Sequence, residues 1–313
     1  MSFNDRFPWG NDDRTIGQLL TDRARTTPGF VYCRFDGKAI DFAELNQRVN
    51  RYANALVAAG VGPDDRVAIM LPNHPDYVVA FLALLKLGVC QIPVNVHLKG
   101  EGLAYLLRHA TPRVVIVDEL FAEQALPILK AQKPPVVVWR GALPDLPASR
   151  VIPFADMTGH ADPAEPRFAG GPDKMVSIMY TSGTTGLPKG VMVTDRMLRV
   201  SARASCRLAE IRPGDVFHVW EPLYHIGGVE VMILALMEEL TLGMVERFSV
   251  SQFWRQVREF KATHIHFLGG VLAMLLKEAP RPDDRDNTVR VAWGGGCPLQ
   301  VWRAFEERFD VQI

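Results

Sequence analysis

The chain has 313 residues, carries no formal net charge at neutral pH, and is 48% apolar. These totals are typical of an ordinary globular protein with a large core, and the length allows one to three domains. The lack of a basic excess argues against nucleic acid as a partner. The longest apolar run, residues 231–237, is too short to span a bilayer, and the first residues contain no apolar signal segment.

In the first half of the chain, short apolar strands alternate with helical patterns. After a polar arm at 1–13, apolar positions at helical spacing predict a helix from Glu44 that stops at Gly60. Further helices are predicted at 76–87 and 100–110, and strands at 66–70, 89–94, 113–118 and 135–139. Residues 141–174 are rich in Pro, Ala and Gly without a sustained period, so we interpret them as a connector.

The second half repeats this alternation. A helix is predicted at 195–209, followed by strands at 216–220, 241–246, 263–267 and 289–293 and by helices at 229–239, 250–260, 271–277 and 299–309. Regular alternation of strand and helix favours parallel pairing with helices on both faces. We therefore predict an α/β protein with two doubly wound subdomains, each built on a largely parallel sheet.

A small-residue loop joins two short strands between these halves. Its glycines permit backbone conformations that turn consecutive N–H groups toward one anion, its hydroxyls add donors, and a lysine adds a full positive charge. The spacing is not that of a Walker A loop, and the alternative is an ordinary surface turn. The candidate phosphate-binding residues are Thr181, Ser182, Gly183, Thr184, Thr185, Gly186 and Lys189.

The block from Tyr180 to Gly190, Tyr-Thr-Ser-Gly-Thr-Thr-Gly-Leu-Pro-Lys-Gly, resembles the signature loop of the adenylate-forming (AMP-binding) enzymes. Residues 45–73 and 88–95 are similar to two further blocks of the acyl-CoA synthetases in that superfamily. The resemblance implies one subdomain at 61–205 and a second formed by 14–60 with 215–313. It also implies that ATP activates a carboxylic acid to an acyl-adenylate, which then passes to CoA.

Glu221-Pro-Leu-Tyr-His-Ile-Gly-Gly228 lies at a predicted strand-to-helix junction, where open α/β sheets bind ligands. His225 would line a pocket there, and Gly227 and Gly228 would let a substrate approach the backbone. The alternative is a capping histidine with two packing glycines. The resemblance implies a gating or orienting role for His225 near the acyl and nucleotide sites, and residues 220–228 resemble carnitine/crotonobetaine-CoA ligases in particular.

Trp293-Gly-Gly-Gly-Cys-Pro-Leu299 is a second such junction. Its glycines would expose backbone groups to a flat ligand, and the segment resembles the one that lies along the adenine and the acyl group in the family. A tight turn without a ligand is the alternative. The predicted nucleotide-binding residues here are Gly294, Gly295, Gly296, Cys297 and Pro298. The predicted acid-binding residues are His225, Gly227, Gly228, Gly269, Gly270 and Gly294.

The other histidines, serines and cysteines do not form a recognisable metal-binding or catalytic motif. His264 and His266 share one face of a predicted strand, but no third ligand lies at a recognisable spacing for zinc. Ser182 is not in a Gly-x-Ser-x-Gly elbow, so a hydrolase is not supported. The four cysteines, Cys33, Cys90, Cys206 and Cys297, form no Cys-x-x-Cys pair, and we expect free, buried thiols in a reducing cytoplasm.

The resemblance implies specific catalytic roles. Lys189, Thr185 and His225 are the predicted catalytic residues, and Mg²⁺ is expected near Thr184 or Thr185. The expected partners are a small carboxylic acid, ATP and CoA, and a homodimer is left open. Asp195 and Met197 replace the His and Asn that are common in the family, which leaves the outer contacts of the loop open.

Family members continue beyond the position of Ile313 with a Tyr-Gly-x-Thr-Glu segment and a C-terminal cap domain that carries the adenylation lysine. We therefore expect residues 1–313 to be an incomplete N-terminal AMP-binding domain, without the cap domain and inactive alone. Two alternatives remain open. One is an adenylation domain that feeds a carrier protein, and the other is a non-catalytic module that binds a nucleotide or an acyl group.

Overall fold

The computed structural model describes residues 14–159, 161–167, 170–181 and 188–313. Up to residue 159 the elements are α1 (Ile16–Thr26), β1 (Val31–Phe35), β2 (Lys38–Asp41), α2 (Phe42–Ala58), β3 (Arg66–Met70), α3 (Pro75–Leu87), β4 (Cys90–Pro93), α4 (Gly100–Ala110), β5 (Val114–Asp118), a 3₁₀ turn (Glu119–Phe121), α5 (Ala122–Gln132), β6 (Val136–Arg140), β7 (Arg150–Pro153) and α6 (Phe154–Gly159). The later elements are β8 (Met175–Tyr180), β9 (Gly190–Thr194), α7 (Asp195–Leu208), β10 (Val216–Val219), α8 (Ile226–Met237), β11 (Thr241–Met244), α9 (Val250–Phe260), β12 (His264–Leu268), α10 (Val271–Leu276), β13 (Val291–Gly295) and α11 (Leu299–Phe309).

The described strands form two sheets. A seven-stranded sheet has the order β7-β6-β5-β3-β4-β8-β9, and a six-stranded sheet has the order β13-β12-β10-β11-β1-β2. Pairing is parallel except at one edge of each sheet, where β9 runs antiparallel to β8 and β2 antiparallel to β1. The predicted α/β class with largely parallel sheets is confirmed.

Helices and sheets stack in alternating layers. The largest apolar core contains residues of α1, α2, α3, α7 and α8, together with one face of each sheet. In β3, for example, Val67 and Ile69 belong to this central core, whereas Ala68 and Met70 belong to the core that α4 and α5 form on the opposite face. This alternation follows from the two-residue period of a strand, and it explains why strands buried on both faces are uniformly apolar.

Several elements were not predicted. Helix α1 begins at a capping box, in which the Thr15 hydroxyl accepts from the Gln18 N–H and the Gln18 side chain accepts from the Thr15 N–H. The hairpin of β1 and β2 turns at Asp36 and Gly37, which both have positive φ. Within the presumed connector, β7 pairs in parallel with β6 and is followed by α6, so that segment is not irregular throughout.

Residues 161–167, which precede β8, are fastened to α2 by three asparagines spaced one helical turn apart. Asn46 donates to a carboxylate oxygen of Glu165 over 2.7 Å, while Asn50 and Asn54 donate to backbone carbonyls of the segment. From α3, the fully buried Lys86 ammonium donates to Glu165 over 2.6 Å. These bonds fix the segment that leads toward β8 and toward the loop beyond it.

Among the described residues, no helix has the length and apolar character that crossing a membrane requires. Cys33, Cys90, Cys206 and Cys297 are all free, and the first three are buried.

Candidate functional site

Three neighbouring parallel strands, β10, β12 and β13, end at the same edge of the six-stranded sheet. Each is followed by one of the glycine-bearing segments that the sequence singles out. Parallel strands present their carboxyl ends together, and ligands of open α/β sheets bind outside these ends. The topology therefore gathers the predicted acid-binding residues at one edge.

The loops after β12 and β13 are in direct contact. The N–H of Gly269 donates to the carbonyl of Gly295 over 3.0 Å. A Cβ at Gly296 would lie 3.4 Å from the Gly269 Cα, whereas a Cβ at Gly295 would have no neighbour within 4 Å. Gly295 and Gly270 thus leave open space beside the backbone, in which a ligand can lie against it.

The segment after β10 begins α8. His225 is the N-cap: its Nδ1 accepts from the Gly227 N–H over 3.3 Å, yet its side chain is exposed. Partial burial lowers the pKa of His225, and the neighbouring His266 lowers it further. Gly228 is a packing glycine, because a Cβ there would lie 2.4 Å from the Pro222 carbonyl oxygen. His225 thus caps α8, and its imidazole lies at the carboxyl edge of the sheet.

Glu221 and His266 form a buried pair that the sequence did not reveal. Glu221 is fully buried after β10, and its Oε1 lies 2.6 Å from Nδ1 of His266 on β12. The Trp293 ring packs on His266 with centroids 4.5 Å apart. The contact spans 45 positions in sequence, so local spacing gave no signal for it.

A cavity of about 420 Å³ opens beside β13. Its walls include Gly294, Gly296 and Cys297, with Trp293 and Trp302 supplying aromatic surface. Pro298 is the N-cap of α11, one position before the helix begins. This places Cys297 and Pro298 next to the glycine segment, with only Cys297 lining the cavity.

The predicted phosphate loop is seen only at its two ends. The Thr181 N–H donates to the Lys189 carbonyl over 3.0 Å and closes the β8–β9 hairpin, and the Lys189 side chain is exposed. At the end of β8, the Tyr180 hydroxyl lies 2.6 Å from Nδ1 of His109 on α4. Ser182, Gly183, Thr184, Thr185 and Gly186 lie outside the described residues, so their predicted roles stay predictions.

The two histidines considered for zinc have other partners. Nε2 of His264 lies 2.8 Å from the Ala209 carbonyl oxygen, and His266 pairs with Glu221. Nowhere in the described ranges do three or more His, Cys, Asp or Glu side chains gather as a metal site. Thr184 and Thr185, the predicted Mg²⁺ ligands, lie outside the described residues and stay predictions.

The sequence model for AMP-binding enzymes matches residues 20–313. The chain belongs to the AMP-binding enzyme family. This confirms the resemblance drawn from residues 180–190.

The relatives of this AMP-binding chain include CoA ligases. The medium/long-chain-fatty-acid–CoA ligase FadD6 of Mycobacterium tuberculosis is 33% identical over 303 residues, which cover 96% of this chain and 50% of that protein. A crotonobetaine/carnitine–CoA ligase of Salmonella arizonae is 28% identical over 297 residues, or 91% of this chain and 56% of that protein. The chain spans about half the length of the curated relatives it matches.

Solved structures agree with the fold. The N-terminal domain of FACL13 from Mycobacterium tuberculosis matches with a TM-score of 0.81 at 23% identity, over 95% of this chain and 74% of that one. O-succinylbenzoate coenzyme A synthetase from Bacillus subtilis, in complex with AMP, matches with a TM-score of 0.77 at 26% identity, over 94% of this chain and 71% of that one.

Proposed function

We propose that the protein carrying this chain is an AMP-forming acyl-CoA synthetase, which activates a carboxylic acid with ATP and transfers the acyl group to CoA. The observation that carries the proposal is the meeting of three glycine-bearing segments at the carboxyl edge of β10, β12 and β13 in a chain of the AMP-binding family. The relatives named as CoA ligases support CoA as the acceptor.

The two subdomains would correspond to the two sheets. Residues 61–205 contain the whole seven-stranded sheet, and 14–60 with 215–313 contain the whole six-stranded sheet. The proposed nucleotide and acid sites lie at the carboxyl edge of the second subdomain. The hairpin that leads into the phosphate loop belongs to the first.

The first half-reaction forms an acyl-adenylate. A carboxylate oxygen of the acid attacks the α-phosphorus of ATP, the bond to the bridging oxygen breaks, and pyrophosphate leaves with the electron pair. In the second half-reaction the CoA thiolate attacks the acyl carbon, and AMP leaves. Both steps depend on positioning and on neutralising charge rather than on a protein nucleophile.

The chain's own residues would divide these tasks. Gly294, Gly295 and Gly296 would lie along the flat nucleotide and the acyl group, since Gly295 leaves the backbone open on that side. The exposed Lys189 ammonium would offset the charge of the outer phosphates. His225, at the positive N-terminal end of α8, would orient the reacting carboxylate.

Two assays on the natural protein test this proposal with a panel of carboxylic acids. Exchange of labelled pyrophosphate into ATP reports adenylation, and formation of the CoA thioester reports transfer. We expect both with at least one acid. Exchange without thioester would favour a domain that feeds a carrier protein, and ATP binding without exchange would favour a non-catalytic module.

A further inference from the structure

Only one of the two oxygens of the buried Glu221 carboxylate has a hydrogen-bond partner among the described residues. The Glu221 side chain is fully buried, Oε1 bonds Nδ1 of His266 at 2.6 Å, and Oε2 has no hydrogen-bond partner among the described residues. Buried polar atoms are nearly always paired, so an unpaired carboxylate oxygen calls for an explanation. A position beside a ligand-binding edge provides one.

His266 extends this pair toward the edge of the sheet. Nδ1 of His266 and Oε1 of Glu221 form this hydrogen bond, and the opposite ring nitrogen, Nε2, has no hydrogen bond within the described part of the chain. The Cε1 corner of the ring, which adjoins Nε2, faces Gly227: a Cβ there would lie 3.7 Å from His266 Cε1 and 3.7 Å from His225 Nδ1. The pair therefore reaches the first turn of α8.

The surroundings of the pair are largely apolar. The Trp293 ring packs at a tilt against the His266 ring, and the Trp220 indole N–H donates to the His266 carbonyl over 3.0 Å. An alkyl chain that packed against this aromatic surface would leave Nε2 of His266 without a hydrogen-bond partner. A site with a polar group that lacks a protein partner discriminates against ligands that cannot form a hydrogen bond with it.

We propose that the Glu221–His266 pair selects carboxylic acids that carry a hydroxyl group on the acyl chain. A hydroxyl both donates and accepts, so it can bond Nε2 of His266 whether the ring is neutral or protonated. This inference rests on the proposed acyl-CoA synthetase function and names its substrate class. His266 acts as a specificity-determining residue, and Glu221 is the positioning residue that fixes its ring.

Matched acids test the proposal on the natural protein. Straight-chain acids of equal length are compared with and without a hydroxyl at carbon 2, at carbon 3 or at the end of the chain, and kcat/KM is measured by pyrophosphate exchange. For at least one position, the wild type should prefer the hydroxy acid by on the order of tenfold or more. In His266→Leu this ratio should fall to about one.

Two further variants separate recognition from folding. His266→Gln keeps a hydrogen-bonding side chain and should retain part of the preference. His264→Gln changes a buried histidine of the same strand that bonds the Ala209 carbonyl instead, and it should leave the ratio unchanged. Glu221→Leu should lower the preference as His266→Leu does, since the ring then loses its orientation.

The outcomes separate this inference from the function on which it rests. Suppose that alkyl and hydroxy acids both support pyrophosphate exchange, and that His266→Leu does not alter the ratio of their kcat/KM values. This result would overturn the inference and leave the synthetase proposal standing. If no acid supports exchange, the synthetase proposal fails and the inference fails with it.

Discussion

The side-chain amide of Asn73 holds the backbone around Glu221. Nδ2 donates to the Glu221 carbonyl over 2.7 Å, and Oδ1 accepts from the Leu223 N–H over 3.0 Å. Asn73 follows β3 in the seven-stranded sheet, whereas Glu221 follows β10 in the six-stranded sheet. One buried side chain therefore ties the carboxyl edges of the two sheets together and positions the turn that leads to His225.

Replacing Asn73 should destabilise the fold through this tie. Asn73→Ala leaves buried backbone groups unpaired, and we expect it to lower the free energy of unfolding by about 1–3 kcal/mol. Asn73→Asp should cost more, because a carboxylate would then face a carbonyl oxygen. Urea denaturation measures both losses.

A matched control for this prediction is Asn54→Ala. Asn54 also donates to two backbone carbonyls, but at an exposed position where water can replace the bonds. Asn54→Ala should therefore lower the free energy of unfolding by less than about 1 kcal/mol. A loss at Asn73 no larger than the loss at Asn54 would show that the tie between the sheets is dispensable.

The sequence carried enough information to predict most of the fold. Periodicity placed α4, α9 and α11 at the bounds observed, because each has an apolar face and a clear terminus. The missed elements also had local signals. Thr15 with Gln18 is a capping-box pattern, and Asp36-Gly37 between two short apolar runs is the dipeptide typical of a tight hairpin. The two short elements of the presumed connector, β7 at the edge of its sheet and the six-residue α6, had little signal.

The site was less accessible to sequence reasoning. Glycine-bearing junctions can be recognised locally, since each follows a strand directly. The partners of Glu221 cannot, because Asn73 and His266 come from other strands and only the strand order brings them together. The sequence distinguishes His266 only by its spacing from His264, and that spacing does not indicate its role.

His218 should make the protein sensitive to acid. It is fully buried on β10 with Nδ1 unpaired, and burial lowers its pKa from 6.5 to about 4. Between these values the unfolded chain takes up a proton that the folded chain does not. The free energy of unfolding is therefore unaffected by this group above about pH 6.5. As the pH falls toward 4, the group lowers the free energy of unfolding by up to about 3 kcal/mol.

His218→Phe tests this pH dependence. The phenyl ring can keep the edge contact with Phe253, whose centroid lies 4.9 Å away, but it cannot bind a proton. Urea unfolding from pH 4 to 7 should therefore show a flatter decline than in the wild type. Carboxylates with lowered pKa, such as Asp76 and Asp215, add an acid loss of their own in both proteins. If the free energy of unfolding falls equally steeply with pH in His218→Phe and in the wild type, His218 is not the cause of the acid sensitivity.

Lys189→Met should impair adenylation selectively. The hairpin is closed by the backbone carbonyl of residue 189, which the variant keeps, so the fold should not change. Losing the positive charge from the outer phosphates should slow pyrophosphate exchange on the order of 100-fold, while thiol transfer from a supplied acyl-adenylate should change much less. Lys130→Met, on the exposed face of α5, is the control. Unaltered exchange would mean that Lys189 serves only the turn.

Two neighbouring glycines in β13 should differ strongly in how much an added side chain lowers stability. A Cβ at Gly294 would lie 1.9 Å from the Phe267 carbonyl oxygen, so Gly294→Ala must force β12 and β13 apart and should lower stability by about 2 kcal/mol or more. A Cβ at Gly295 meets nothing within 4 Å, so Gly295→Ala should change stability by less than about 0.5 kcal/mol. Thermal unfolding compares the two variants directly.

Because the space beside Gly295 is where we place the acyl group, Gly295→Leu should narrow the range of acids accepted while the affinity for ATP stays near the wild-type value. Bulky acids should lose activity first, since the leucine side chain would occupy the volume they need. The measurement is pyrophosphate exchange over a graded series of acids, with ATP binding followed by calorimetry. An unchanged acid profile in a folded Gly295→Leu protein would place the acyl pocket away from this edge, and a parallel loss of ATP binding would assign the space to the nucleotide.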